Sequence, residues 1–109
     1  MKKINIKPIS VNNCWQGRRF KTKEYLQYEK DLLLMLPKLK LCNAPYLIEI
    51  EFGFSSSLAD IDNPLKPFLD VLQKKYLIND RDIYKLNVTK SVIKKGSEYI
   101  KFKIESYEI

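Results

Sequence analysis

The sequence predicts a single α/β (α+β) domain in which two helices pack on a mixed β-sheet, with the element order β-α-β-α-β-β. Residues 46–54 and 98–108 alternate between apolar and polar side chains, which is typical of half-buried strands. Residues 21–39 and 64–76 instead repeat apolar side chains at spacings of three and four, which predicts helices with one buried face. With 109 residues and 45% hydrophobic content, we expect one core and one domain over residues 1–109.

The first third of the chain is predicted to contain one strand, one loop and one helix. Residues 3–8 alternate and predict a short strand, and the polar residues 8–19 predict an ordered loop. We expect a helix over residues 21–39, with Thr22 as its cap and Pro37 ending or kinking it. Its predicted buried stripe is Tyr25, Tyr28, Leu32 and Met35.

The centre and the end of the chain predict three strands and a second helix. In residues 46–54 the predicted core face is Tyr46, Ile48, Ile50, Phe52 and Phe54. The helix over residues 64–76 should have Asn63 as its N-cap and Pro64 at its first position. Its predicted stripe is Leu65, Leu69, Leu72 and Tyr76. Residues 83–94 and 98–108 are predicted to form a hairpin around Lys95-Gly96-Ser97.

Composition narrows the classes of function. Twenty basic residues against 13 acidic ones give a net charge of +7, which favours nucleic acid as a partner first and an anionic membrane surface second. The sequence contains no histidine, and its two cysteines, Cys14 and Cys42, lack the CxxC spacing. Zinc-finger sites and catalysis with an imidazole base are therefore excluded. Hydrolytic chemistry would have to rest on carboxylates, lysine and a bound metal.

The N-terminal residues also predict a location. Met1-Lys2-Lys3 is followed by a strand-like segment and not by the apolar run of a signal peptide. The longest apolar run, residues 32–37, is much shorter than the roughly 20 residues that span a bilayer. We therefore expect a cytoplasmic protein without a membrane partner, whose cysteines are packed thiols.

Aspartates are concentrated in one region, because five of the six lie between positions 60 and 82. Asp60 and Asp62 would project to the same side of an extended segment, roughly 6–7 Å apart at the backbone. Two such carboxylates can converge on Mg²⁺, which prefers oxygen ligands and keeps several waters. A single pair with this spacing is, however, more often a helix cap or a solvated loop.

Lys66 has two interpretations. Asp62, Lys66 and Asp70 follow each other at intervals of four residues and should lie along one side of the second helix. They could form an exposed row of salt bridges, worth a few tenths of a kcal/mol per pair. Alternatively, the ammonium group could hold a phosphate beside a metal site.

Together these residues resemble the RusA family of Holliday-junction resolvases. The segments that carry the resemblance are Asp60-Ile61-Asp62-Asn63, Lys66, Asp70-Val71-Leu72, Asn79-Asp80-Arg81-Asp82-Ile83 and Lys90. The opening loop is also similar to that of phage-like members, through Pro8, Ser10, Asn12, Trp15 and Gly17-Arg18-Arg19. The resemblance covers about residues 4–95; each piece is common, but the ordered set is specific.

The resemblance implies a hydrolase of DNA recombination and repair, encoded by a bacterium or a phage. Asp60, Asp62 and Asp80 would be catalytic residues that bind Mg²⁺, or Mn²⁺ in its place, and Lys66 would be the essential basic residue. The enzyme would act as a homodimer that nicks opposed strands of a four-way DNA junction, without a small-molecule cofactor. The family usually has two adjacent acids where this chain has Asn79-Asp80, and Asp82 is the candidate to replace the missing one.

Two further expectations concern the residues that contact DNA and the functions that compete with a junction resolvase. A basic run beside Trp15 and Phe20 is predicted to contact DNA, and it consists of Arg18, Arg19, Lys21 and Lys23. The same run could equally be the solvated start of a helix. A non-catalytic, structure-selective DNA-binding module and a nuclease of flaps or forks are the competing functions. The enzyme hypothesis requires the carboxylates of Asp60, Asp62 and Asp80 to meet closely enough to bind a dication.

Overall fold

Four strands form one mixed sheet, and two helices cover one of its faces. The structure is a computed structural model and describes residues 1–108. The main elements are β1 (Lys2–Ile4), β2 (Trp15–Gln16), β3 (Phe20–Lys21), α1 (Lys23–Met35), β4 (Tyr46–Phe54), α2 (Leu65–Tyr76), β5 (Ile83–Val92) and β6 (Tyr99–Ser106). The predicted α+β class is confirmed.

The order of strands in the main sheet is β1-β6-β4-β5, so the predicted hairpin between the last two strands is wrong. β5 runs parallel to β4 on one side, and β6 runs antiparallel to β4 on the other. Burial explains this arrangement: Ile100 and Phe102 of β6 are fully buried, whereas most of β5 is exposed. The more apolar strand therefore occupies the interior of the sheet, and the more polar strand lies at its edge.

Helix α1 begins and ends close to its predicted signals. The Thr22 hydroxyl oxygen accepts a hydrogen bond from the backbone N–H of Tyr25 at 3.1 Å, which confirms Thr22 as the cap. The helix ends at Met35, earlier than predicted, because Leu36 has already turned to an extended conformation before Pro37. Met35 is 42% exposed and does not belong to the buried stripe.

Helix α2 begins one residue later than predicted and is rotated relative to its predicted stripe. Pro64 occupies the cap position, and no side chain caps the helix. Phe68 packs edge to face between the rings of Phe52 and Phe102, with centroids 6.0 and 5.8 Å away. Because this large ring takes the centre of the interface, Leu65 and Leu69 of the predicted stripe are only partly buried, whereas Leu72 is buried as predicted. The buried residues are Pro67, Phe68, Val71 and Leu72.

The predicted loop over residues 8–19 contains structure of its own. β2 and β3 form a two-stranded hairpin separate from the main sheet. The first strand is limited to Lys2–Ile4 and pairs with β6. No helix in residues 1–108 has both the length and the apolar character needed to cross a membrane.

Candidate functional site

The segment that carries Asp60 and Asp62 leaves the carboxyl end of β4. Lys90 of β5 donates hydrogen bonds to the carbonyls of Ser57 and Ala59, at 2.7 and 2.5 Å, and thereby fastens this segment over the parallel pair. Asp60 and Asp62 come immediately after Ala59, and both are exposed. The carboxyl ends of parallel strands are the edge at which open α/β sheets bind ligands.

A cleft of about 280 Å³ opens beside Asp60. Ser10 and Asn13 of the N-terminal loop line this cleft together with Asn63. The backbone N–H of Val11 donates to the carbonyl of Asn63 at 2.9 Å. Two pieces of the resemblance that are far apart in the sequence, the opening loop and the D-x-D-N segment, are therefore in contact in the fold.

Few groups of the protein neutralise or hydrogen-bond the carboxylates of Asp60 and Asp62. Within residues 1–108, neither forms an ion pair, although the chain has 20 basic residues. Asp60 accepts one long hydrogen bond, from Nδ2 of Asn63 at 3.4 Å. The two side chains are thus exposed oxygen ligands that the fold does not use for its own packing.

Asp80 lies near enough to Lys66 for its charge to act on that ammonium group, but it does not join Asp60 and Asp62 in a metal-binding group within residues 1–108. It begins a short 3₁₀ turn just before β5, and β5 starts opposite Tyr46, at the beginning of β4. The paired length of β4 is about 26 Å, so the turn with Asp80 and the Asp60–Asp62 segment adjoin opposite ends of the pair. Among the described residues, no three acidic or cysteine side chains are grouped to hold a metal ion.

The expectation that Asp60, Asp62 and Asp80 meet within one chain is therefore not met. The physical reason is the β4-α2-β5 crossover: the helix returns the chain to the end at which β4 began, so that β5 can run parallel. Asn79 caps the 3₁₀ turn: its side-chain oxygen accepts a hydrogen bond from the N–H of Arg81 at 3.1 Å.

Lys66 is ion-paired with Asp70, with 2.8 Å between Nζ and Oδ1. The pKa of Lys66 lies above its ordinary value, first because of this hydrogen bond to Asp70. Partial desolvation works in the opposite direction, and the negative charges of Asp70 and Asp80 raise the pKa further. The group therefore stays protonated, and the salt-bridge interpretation holds for the Asp70 side of the predicted row. The proposed contact of Lys66 with phosphate stays a prediction.

The basic run divides into two kinds of residue. Lys21 is ion-paired with Glu29, with 2.6 Å between Nζ and Oε1. Arg18, Arg19 and Lys23 are exposed and have no ion pair within the described part of the chain. These three cations, rather than all four, are available to a polyanion.

Sequence reasoning missed three features that shape the site. The anchoring role of Lys90 and the burial of Glu29 depend on contacts between distant parts of the chain, whereas the β2–β3 hairpin pairs residues close in sequence. Only the hairpin left a local signal, because Trp15-Gln16 and Phe20-Lys21 flank a three-residue turn that contains a glycine.

No protein-family model matches the chain, and no curated protein matches it as a relative. The case for a function therefore rests on the residues and their placement.

Proposed function

We propose that the chain is a metal-dependent, structure-selective endodeoxyribonuclease that resolves four-way DNA junctions as a homodimer. The observation that carries the proposal is the contact between the opening loop and the D-x-D-N segment, around exposed carboxylates without ion pairs. A net charge of +7 suits a polyanionic substrate. Two uncompensated acids in so basic a chain point to a cationic ligand.

Asp60 and Asp62 fit a hard divalent cation by their chemistry. They are exposed carboxylates two residues apart, and Mg²⁺ is commonly held by one or two carboxylates together with waters. When bound, the cation would supply an activated water and neutralise charge on the scissile phosphate. Lys66, protonated and 64% exposed in its side chain, would add positive charge to the phosphate.

A second copy of the chain would give Asp80 a place in this site. β5 is an edge strand of ten residues, and its outer edge has no strand partner within residues 1–108. Exposed apolar side chains accompany that edge, including Leu86 at 38% and Val92 at 54%. If two copies pair β5 antiparallel, the start of one β5 approaches the end of the other, and with it the partner's Asp60 and Asp62.

Cleavage of a synthetic junction tests the activity. A mobile four-way junction is incubated with the protein and Mg²⁺ or Mn²⁺, and the cuts are mapped. We expect paired, symmetric nicks that disappear with a chelator and with Asp62→Asn. That variant should keep or tighten binding, because it removes a negative charge that faces phosphate. Asp31→Asn, at the one aspartate outside the cluster, is the matched control and should cleave normally.

Mixing two inactive variants tests the shared site. Asp60→Asn/Asp62→Asn and Asp80→Asn are each expected to be inactive alone. A mixed dimer would hold one intact composite site and should recover nicking of one strand. If the mixture stays inactive although the subunits exchange, the site does not combine residues of two copies.

One observation favours the non-catalytic DNA-binding module. A single chain forms no group of three metal ligands within residues 1–108. Retarded junction DNA without cleavage in either metal would support this alternative and overturn the nuclease. Faster cleavage of flaps or forks than of junctions would point instead to a nuclease of those substrates. Under either function, binding should weaken steeply with salt.

A further inference from the structure

The β2–β3 hairpin exposes an aromatic ring that the domain leaves uncovered. Phe20 is 71% exposed, although burying an aromatic side chain of this size stabilises a folded domain. The ring therefore does not pack in the core, and it is available for contact with another molecule.

The base of the hairpin is held firmly, so the direction of Phe20 is set. Trp15 pairs with Lys21 on one face of the hairpin, and Gln16 pairs with Phe20 on the other. The Trp15 ring packs edge to face on Tyr25, with centroids 6.0 Å apart. Lys21 on the same face forms an ion pair with Glu29 of α1. This face is therefore anchored to the rest of the domain, and Phe20 lies on the opposite face, away from this anchor.

Glu29 connects this anchor to both helices. Glu29 is only 6% exposed, and its carboxylate binds the ammonium groups of Lys21 and Lys74, at 2.6 and 2.5 Å. The backbone N–H of Thr22 donates to the carbonyl of Cys14 at 2.9 Å and closes the base of the hairpin. The hairpin is thus a fixed projection of the domain.

The tip of the hairpin is cationic. Gly17, with φ of 67°, begins the turn, and Arg18 and Arg19 follow it as exposed residues. Neither arginine has an acidic partner in residues 1–108. An uncovered aromatic ring beside two unneutralised guanidinium groups matches the two parts of a nucleotide, which are a flat base and an anionic phosphate.

We infer that Phe20 is a stacking platform for an unpaired nucleobase, with Arg18 and Arg19 binding the adjoining phosphates. Such a base is available at the centre of a branched DNA or in a single strand. The choice of branched DNA rests on the proposed function, whereas the stacking itself does not require cleavage.

Binding without divalent cations tests the inference separately from the chemistry. Affinity is measured in chelator for a four-way junction, a single strand and a linear duplex of equal length, by fluorescence anisotropy. Phe20→Ala should weaken binding to the junction or the single strand at least about fivefold, as loss of one base–aromatic stack does. Binding to the duplex should not change, and Phe20→Trp should retain the wild-type affinity.

Leu34→Ala is the matched control, since Leu34 is 77% exposed on α1 and should not affect any of the three affinities. A 2-aminopurine at the branch point should be quenched by the wild type and not by Phe20→Ala. If quenching occurs only in the single strand, the base comes from that source and not from the branch.

Equal affinity of Phe20→Ala and the wild type for all three DNAs would overturn the inference. An equal loss on the duplex would also overturn it, because stacking on an unpaired base cannot act there. A wild type that binds and never cleaves would refute the nuclease and leave the stacking result intact.

Discussion

Replacing Glu29 by glutamine should destabilise the domain because its carboxylate is the buried centre of an ion triad. Glu29 is 6% exposed, and its two oxygens accept hydrogen bonds from Lys21 and Lys74. An amide keeps the volume but has one acceptor oxygen, so one of the two charged hydrogen bonds is lost. Such a bond contributes about 1.5–3 kcal/mol.

The exposure of the lysines sets where in this range the loss should lie. The side chain of Lys74 is 50% exposed and can recover hydrogen bonds with water, which argues for the lower part. We expect Glu29→Gln to lower the free energy of unfolding by about 2 kcal/mol, or the melting temperature by roughly 8–16 °C for a domain of this size.

The pH dependence provides a second signature. Burial works to raise the pKa of Glu29, but the hydrogen bonds from Lys21 and Lys74 outweigh it and the net pKa lies below its ordinary range. The stabilisation is therefore complete above the unfolded value, about 4.3, and is lost as the pH falls through the folded value. The difference between the wild type and Glu29→Gln should narrow progressively below about pH 4.

Urea unfolding followed by far-UV circular dichroism, at neutral and acidic pH, measures both quantities. Glu105→Gln is the matched control, because the Lys103–Glu105 pair is 45% exposed on both sides and solvent screening should leave it with little effect on stability. If Glu29→Gln unfolds like Glu105→Gln at neutral pH, or if its loss of stability persists unchanged in acid, the buried ion triad does not stabilise the domain.

Two further predictions concern the site segment and the thiols. Lys90→Met removes the donor to the carbonyls of Ser57 and Ala59, so amide hydrogen exchange should accelerate in residues 57–63 and junction cleavage should fall. Cys14 is fully buried, and burial, followed by neighbouring carboxylates, raises its pKa to about 11. At about pH 8 only one thiol should therefore react with iodoacetamide before unfolding, and mass spectrometry should locate it at Cys42.

Lys94→Met is the control for the Lys90 experiment, because Lys94 is exposed and its side chain makes no hydrogen bond in the described residues. Its backbone carbonyl, which accepts from the N–H of Ser97 at 3.0 Å, is unchanged by the substitution. Equal exchange rates in the Lys90→Met and Lys94→Met variants would show that these contacts do not hold the segment. Rapid alkylation of Cys14 in the folded protein would contradict its burial.

The sequence by itself determined the periodicity and the caps. Alternation identified Tyr46–Phe54 as a strand, and Thr22 marked the start of α1, because both signals arise between residues close in the chain. It also indicated the acidic cluster and the absence of histidine, from which we expect any hydrolytic chemistry to rest on carboxylates, lysine and a bound metal.

Only the tertiary structure decided which elements became neighbours. Two consecutive strands around Gly96 read as a hairpin, yet β5 and β6 flank β4, because the sheet buries Phe102 in its interior and leaves β5 at its edge. The same choice separates Asp80 from Asp60 in one chain, since a parallel β5 must start at the opposite end. Neighbour choice depends on the burial that all strands share, and no local pattern encodes that balance.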